Sequence, residues 1–136
     1  MKELKKPERN YIKEFDIYVK PRLSDAEIQQ ICNNAIKFKT WSERERTINL
    51  MMFVYATEIA DKPDEVNALD YDLMNECGVF NAIRNAVENS YSITDAINFS
   101  ESTLLALSQI AENLPEMLKP IGEVLKRHGR ATEKQS

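Results

Sequence analysis

Histidine, cysteine and glycine are scarce in this chain, and each scarcity excludes something. One histidine, His128, and two cysteines, Cys32 and Cys77, stand among 136 residues. That inventory offers no zinc-type ligand set. A Ser–His–acid triad would have to use His128, which no predicted core element holds rigid. Its expected role is a cation at a helix C-terminus. The three glycines are isolated, so none builds a phosphate-cradling loop. No cofactor, metal or catalytic group is expected, and the chain is not read as an enzyme. The two cysteines are expected as small core residues rather than a bridge.

Long apolar runs are missing too. The longest, Leu50 to Ala56, falls far short of the ~20 residues that span a bilayer. No apolar stretch follows the charged residues at the N-terminus, so no signal peptide and no membrane association are expected. Three glycines and five prolines are also few for a sheet, which needs tight turns. An all-α fold follows, in one domain.

Basic charge is nearly absent from the middle of the chain. Residues 47–118 hold twelve acids against two bases, Lys62 and Arg84, a net of −10. Residues 1–22 hold seven bases and four acids, and residues 119–136 hold five and two. An acidic body with basic ends can clasp itself, clasp a copy of itself, or offer basic arms to an anionic partner. Lys2, Lys5, Lys6, Arg9 and Lys13, followed by Tyr11, Phe15 and Tyr18, could in principle hold phosphates and stack bases. Acids interrupt the run at Glu3, Glu8, Glu14 and Asp16, so nucleic acid is not the expected partner. Asp61, Asp64, Glu65, Asp70, Asp72 and Glu76 lack the alternate spacing and internal glycine of a calcium loop, and read as a solvated face.

Helix signals are strong. Ser24-Asp-Ala-Glu27 is a capping box, with Leu23 and Ile28 at the staple positions. Ile28, Ile31, Cys32 and Ala35 mark one face of the helix it opens. Ser42-Glu-Arg-Glu45 reads as a second box, opening a helix over 43–60. Its seven consecutive apolar residues cover every side, so the rest of the domain is expected to wrap it. Trp41, just before that box, is expected to pack at the helix start. Asp61–Asp64 reads as a loop. Val66, Leu69, Leu73, Met74 and Cys77 give a third stripe, stopped by Gly78 at C′. Val79, Phe80, Ile83 and Val87 give a fourth, ending near Asn89, and Ser90–Phe99 suggests a short turn of helix. Leu104, Leu105, Leu107, Ile110, Ala111 and Leu114 form a strong helix that Pro115 should break. Met117, Leu118, Ile121, Val124 and Leu125 form a last one, ended by Gly129. The expected fold is a compact bundle of five to six short helices around the 43–60 helix. Its segments are an extended N-terminal arm or lead-in over 1–22, a helical domain over 23–129 and a flexible tail over 130–136.

Within 1–22, Phe15, Ile17 and Val19 alternate as in a short strand, while Tyr11, Phe15 and Tyr18 also fit a helical stripe. Tyr11, Phe15, Ile17, Tyr18 and Val19 are the candidate protein-interaction residues. They expose more apolar surface than a solvated tail should, and Pro21 favours an extended exit ahead of the first helix. The alternative is that Phe15, Ile17 and Val19 fold back onto their own domain.

The series Ile48-Asn-Leu-Met-Met-Phe-Val-Tyr-Ala-Thr-Glu-Ile59, an acidic gap, then Tyr71-Asp-Leu-Met-Asn-Glu-Cys-Gly-Val-Phe80 resembles small helical proteins of tailed bacteriophages. The likeness covers residues 42–125 and rests on apolar patterning. It implies a virion structural or assembly protein near the head–tail junction, in the host cytoplasm or the virion. Such a chain would contact itself or other structural proteins as a homo-oligomer or assembly subunit. The alternative is a small soluble helical adaptor or regulator that binds one protein through its acidic body.

Overall fold

In the computed structural model the chain is mostly helical, with six α-helices and one two-stranded sheet among the described residues. The structure describes residues 2–134, without the side chains of residues 117, 121, 124, 125 and 128–134. The role expected of His128 therefore lies outside the described residues. The chain divides into two units, residues 1–98 and 99–136.

The first unit opens with β1 (Asn10–Ile12) and β2 (Ile17–Val19), joined through a 3-10 turn at Lys13–Phe15. They pair antiparallel, with Tyr11 opposite Tyr18 and Ile12 opposite Ile17. Asp16 takes up a left-handed conformation, φ 49°, to reverse the chain. The expected free arm is therefore a hairpin, and it is fastened to the rest of the unit. Lys20 N–H donates to the Ala56 carbonyl at 2.9 Å, and Glu88 N–H to the Pro21 carbonyl at 2.7 Å. Asn10 Nδ2 donates to the Ala86 carbonyl at 2.8 Å.

The first helix, α1 (Asp25–Ala35), starts at the expected capping box. Glu27 N–H donates to Ser24 Oγ at 3.1 Å, and Ser24 N–H returns to Glu27 Oε1 at 2.8 Å. Ile28, Ile31, Cys32 and Ala35 are its buried face, as their spacing implies. The second helix, α2 (Trp41–Ala56), begins two residues earlier than expected. Thr40, not Ser42, is its N-cap, accepting from Glu43 N–H at 3.4 Å. Thr40 and Glu43 have the same three-residue spacing as Ser42 and Glu45, so two caps compete, and the earlier one wins. Trp41 is thereby left half-exposed in the first turn, with the Arg44 guanidinium 5.2 Å from its ring centroid.

At its other end α2 stops in a Schellman motif. Ile59 N–H reaches the Val54 carbonyl and Glu58 N–H the Tyr55 carbonyl. Glu58 supplies the left-handed residue, φ 59°, a place glycine usually takes. Its carboxylate pairs with Arg9 of the N-terminal segment.

The expected 66–77 helix is two short ones, α3 (Pro63–Asn67) and α4 (Tyr71–Glu76). Pro63 starts α3 within the expected loop, because proline is preorganised for a first helical turn. Asp70 interrupts the stripe by capping α4, accepting from Leu73 N–H at 3.2 Å. Gly78 sits at φ 79° just past α4, as its position implies, and leads into α5 (Val79–Ala86). Cys77 is exposed rather than core, while Cys32 is buried; both are free thiols.

The core of the unit gathers Val19, Leu23, the α1 face, Ile48, Met52, Phe53 and Ala56 of α2, and Val79, Phe80 and Ile83 of α5. It is closed by Val87, Ile93 and Ile97. The central α2 is wrapped on the side that carries Ile48, Met52 and Phe53. Leu50, Met51, Val54 and Tyr55 on its other side remain half-buried.

The last helix, α6 (Tyr91–Lys134), starts in the first unit with Ile93 and Ile97 and makes up the described part of the second. It runs through Pro115, Pro120 and Gly129, where a break and an end were expected. Each proline removes one amide donor and costs about 3 kcal/mol in a helix interior. Leu114, Glu116, Met117, Leu118 and Lys119, beside and between the prolines, are strong helix formers and offset part of that cost. The expected flexible tail is helical as far as Lys134, and residues 135–136 lie outside the described residues.

Candidate interaction surface

The five interaction candidates separate by strand alternation. Adjacent residues of a strand face opposite ways, and directly paired residues face the same way. Val19 is fully buried, and Phe15 and Ile17 are half-buried against the core. These three fold back onto their own domain, the second of the two alternatives, and Val19 is closed to a partner. Tyr11 and Tyr18 occupy the opposite face, at 49% and 58% exposure. Their rings lie 4.8 Å apart at 38°. Tyr11 Oη donates to Asp16 Oδ1 at 2.7 Å. Losing that donated proton would set two anions side by side, so the hydrogen bond to Asp16 holds the Tyr11 phenol above its ordinary pKa. The result is a braced, exposed aromatic pair, with one polar edge already engaged.

Beside the hairpin runs a shallow apolar groove of about 340 Å³. Phe15 and Ile17 form one wall, Leu69, Leu73 and Met74 the other, and Phe53 and Val79 line it. Leu73 is exposed at its rim, and Asp70 borders it. The clustered acids from Asp61 to Glu76 are all exposed, as expected of a solvated face. Among the described residues no group of three or more His, Cys, Asp or Glu side chains could hold a metal ion.

A connected polar cluster joins three helices of the first unit. Arg84, one of two bases in the acidic middle, donates from Nε and Nη2 to Asn49 Oδ1 at 3.1 and 2.8 Å. Asn49 is buried on α2 and donates to Tyr71 Oη at 3.3 Å. The Tyr71 ring stacks on Phe80 at 5.0 Å and carries the Arg46 guanidinium on its face at 4.7 Å. This chain of contacts ties α2, α4 and α5 together.

Lys20 and Glu27 make a second fixed point. Lys20 Nζ lies 2.6 and 2.7 Å from the two Glu27 oxygens. Partial burial alone would push the Glu27 carboxyl up. The Lys20 ammonium and the Ser24 donors outweigh it, and the carboxyl sits below its ordinary range.

In the second unit the apolar surface is of a different order. Phe99, Leu104, Leu105, Leu107, Ile110, Leu114 and Leu118 are all exposed on α6. The sequence shows these residues as helical, but places them in bundle helices whose apolar faces are covered. The available signal was the charge on the same helix, which falls on a single face and leaves Leu104, Leu107, Leu114 and Leu118, though not Leu105, as a separate stripe. No helix among the described residues is long and apolar enough to cross a membrane. No protein-family model, curated protein or solved structure matches this chain.

Proposed function

We propose that this chain is a non-enzymatic structural or assembly protein of a tailed bacteriophage. It works through contacts with copies of itself or with other virion proteins, at or near the head–tail junction. The observation that carries this reading is the run of exposed large apolar residues on α6 between Phe99 and Leu118. Monomeric soluble proteins rarely leave so long an apolar strip in water, and such strips mark contact sites. The phage assignment rests on the resemblance of residues 42–125.

The test is sedimentation of particles and assembly intermediates from cells producing the encoding phage. The chain should travel with particles or intermediates, and disabling its gene should stop assembly at a defined step. A chain found only free at the top of the gradient, with normal particle yield after its gene is disabled, contradicts the proposal. A second reading, an adaptor that binds one protein through its acidic body, draws on the groove between the hairpin and α4, where Asp70 borders exposed Leu73.

A further inference from the structure

The stripe on α6 has a definite spacing. Leu104, Leu107, Ala111, Leu114 and Leu118 alternate steps of three and four, the a and d positions of a heptad. The sequence continues the series at positions 121 and 125. Run backwards, the same face carries Ile97 and Ile93, which are buried in the first unit's core. Leu104, Leu107, Leu114 and Leu118 of that face are exposed. Leu105, also exposed, falls at a b position, about 100° round the helix from Leu104 and amid the charged side chains. Pro115 and Pro120 fall at e and c, off the a–d seam, so neither ring would stand between two helices packed along it.

Charge along the helix is divided at its middle. Residues 99–116 carry three acids, Glu101, Glu112 and Glu116, and no base. Residues 117–134 carry five bases against two acids. Two such helices side by side in parallel would set acid on acid and base on base. Reversed, each acidic half lies along a basic half, and the helix dipoles also oppose. The heptad allows that reversal in register. Centred on residue 116, an antiparallel pair sets every a position against a d: Leu104 against position 128, Leu107 against 125, Ala111 against 121, and Leu114 against Leu118.

We infer that the apolar face of α6 pairs antiparallel with the same face of a second copy of this chain, centred on residue 116. This deepens the assembly reading and rests on it, naming a second copy as the first partner. The pair is held by the a and d leucines, and its direction is set by the opposed charges of the two halves. Association is consequently weaker in orientation, not in apolar contact, as salt screens the charges.

Light scattering on the eluting full-length chain tests it. The wild type should give twice the monomer mass at micromolar concentration. Leu107→Glu and Leu114→Glu should each weaken the pair at least tenfold, with the helical circular dichroism of the first unit retained. Leu105→Glu, on the charged face, should leave it intact. Direction is read from a spin label at Ser102 in a Cys32→Ala, Cys77→Ser background. Antiparallel pairing puts Ser102 beside position 130 of the second copy, so the two labels stand 28 residues apart along the axis, about 42 Å. Parallel packing at 8–10 Å between axes would leave the labels within about 20 Å.

A monomeric wild type, a pair that survives both leucine variants, equal loss with Leu105→Glu, or the short distance would each overturn the inference. A monomer that still travels with phage particles would overturn only the pairing, while a pair absent from all particles would overturn only the assembly reading.

Discussion

Asn89 is the residue whose loss should reveal how the N-terminal segment is held. It is buried between α5 and α6, and it bonds both backbone groups of Leu23, 66 residues earlier. Leu23 N–H donates to Asn89 Oδ1, and Asn89 Nδ2 donates to the Leu23 carbonyl, each at 2.9 Å. Asn89→Ala strands one buried donor and one buried acceptor. Each such group costs about 1–3 kcal/mol, so the variant should lose about 2–6 kcal/mol. With a urea slope of about 1–3 kcal/mol per molar, the unfolding midpoint should fall by about 1 M or more. The assay is urea titration of the full chain, followed by circular dichroism and by Trp41 fluorescence. Asn89→Asp sharpens it. The carboxylate still accepts from Leu23 N–H but meets the Leu23 carbonyl without a proton to donate. Its deficit should be large at neutral pH and shrink as acid protonates the side chain. A loss below ~0.5 kcal/mol for Asn89→Ala would mean that water replaces the side chain and that the two segments are not locked here.

Four further outcomes follow from the same geometry. Phe53→Ala should cost about 3–5 kcal/mol, since Phe53 sits in the core of the first unit; a chemical denaturation curve checks it, and a cost below ~1 kcal/mol would displace α2 from that core. The folded-state depression of the Glu27 carboxyl adds stability that is present above its unfolded value and disappears as pH falls through its folded one. Glu27→Gln should therefore flatten the acid limb of a stability–pH profile; an unchanged limb would show that Lys20 does not hold the carboxylate. Deleting residues 1–20 removes fully buried Val19 and should lower the melting temperature sharply, and an unchanged melting temperature would restore the free arm. Pro115→Ala returns a donor to the α6 ladder and should stabilise that helix by as much as ~3 kcal/mol, seen as added helical ellipticity; a loss of ellipticity would mean the helix does not run through residue 115.

Local chemistry was legible in the sequence, and distant chemistry was not. The Ser24–Glu27 box could be read because both partners lie within one turn, and the α1 face because its spacing is regular. Gly78 could be read because few other residues tolerate its backbone angle. The start of α2 was missed by two residues because Thr40–Glu43 and Ser42–Glu45 are equivalent patterns, and only the surrounding packing chooses between them. The division of 63–77 into two helices turned on Asp70, whose capping competes with a continuous apolar stripe. Alternation at Phe15, Ile17 and Val19 showed a strand, but its partner at Asn10–Ile12 is three residues long and too short to announce itself. Whether that strand swings or docks was decided by Ala56, Ala86 and Asn89, none of which carries a sign of the contact. Of the five surface candidates, Tyr11 and Tyr18 are exposed, and the others pack inward. Pro115 read as a stop because its effect is strong locally, which hid the single stripe that crosses it.

Amide hydrogen exchange at two protein concentrations bears most directly on the claim that α6 carries the contact surface. If the face around Leu107 and Leu114 pairs two copies, peptides from 104–125 should gain protection as the chain is concentrated from nanomolar to tens of micromolar, while peptides from 1–98 stay unchanged. Exchange over 104–125 that is equally fast, or equally slow, at both concentrations would contradict it.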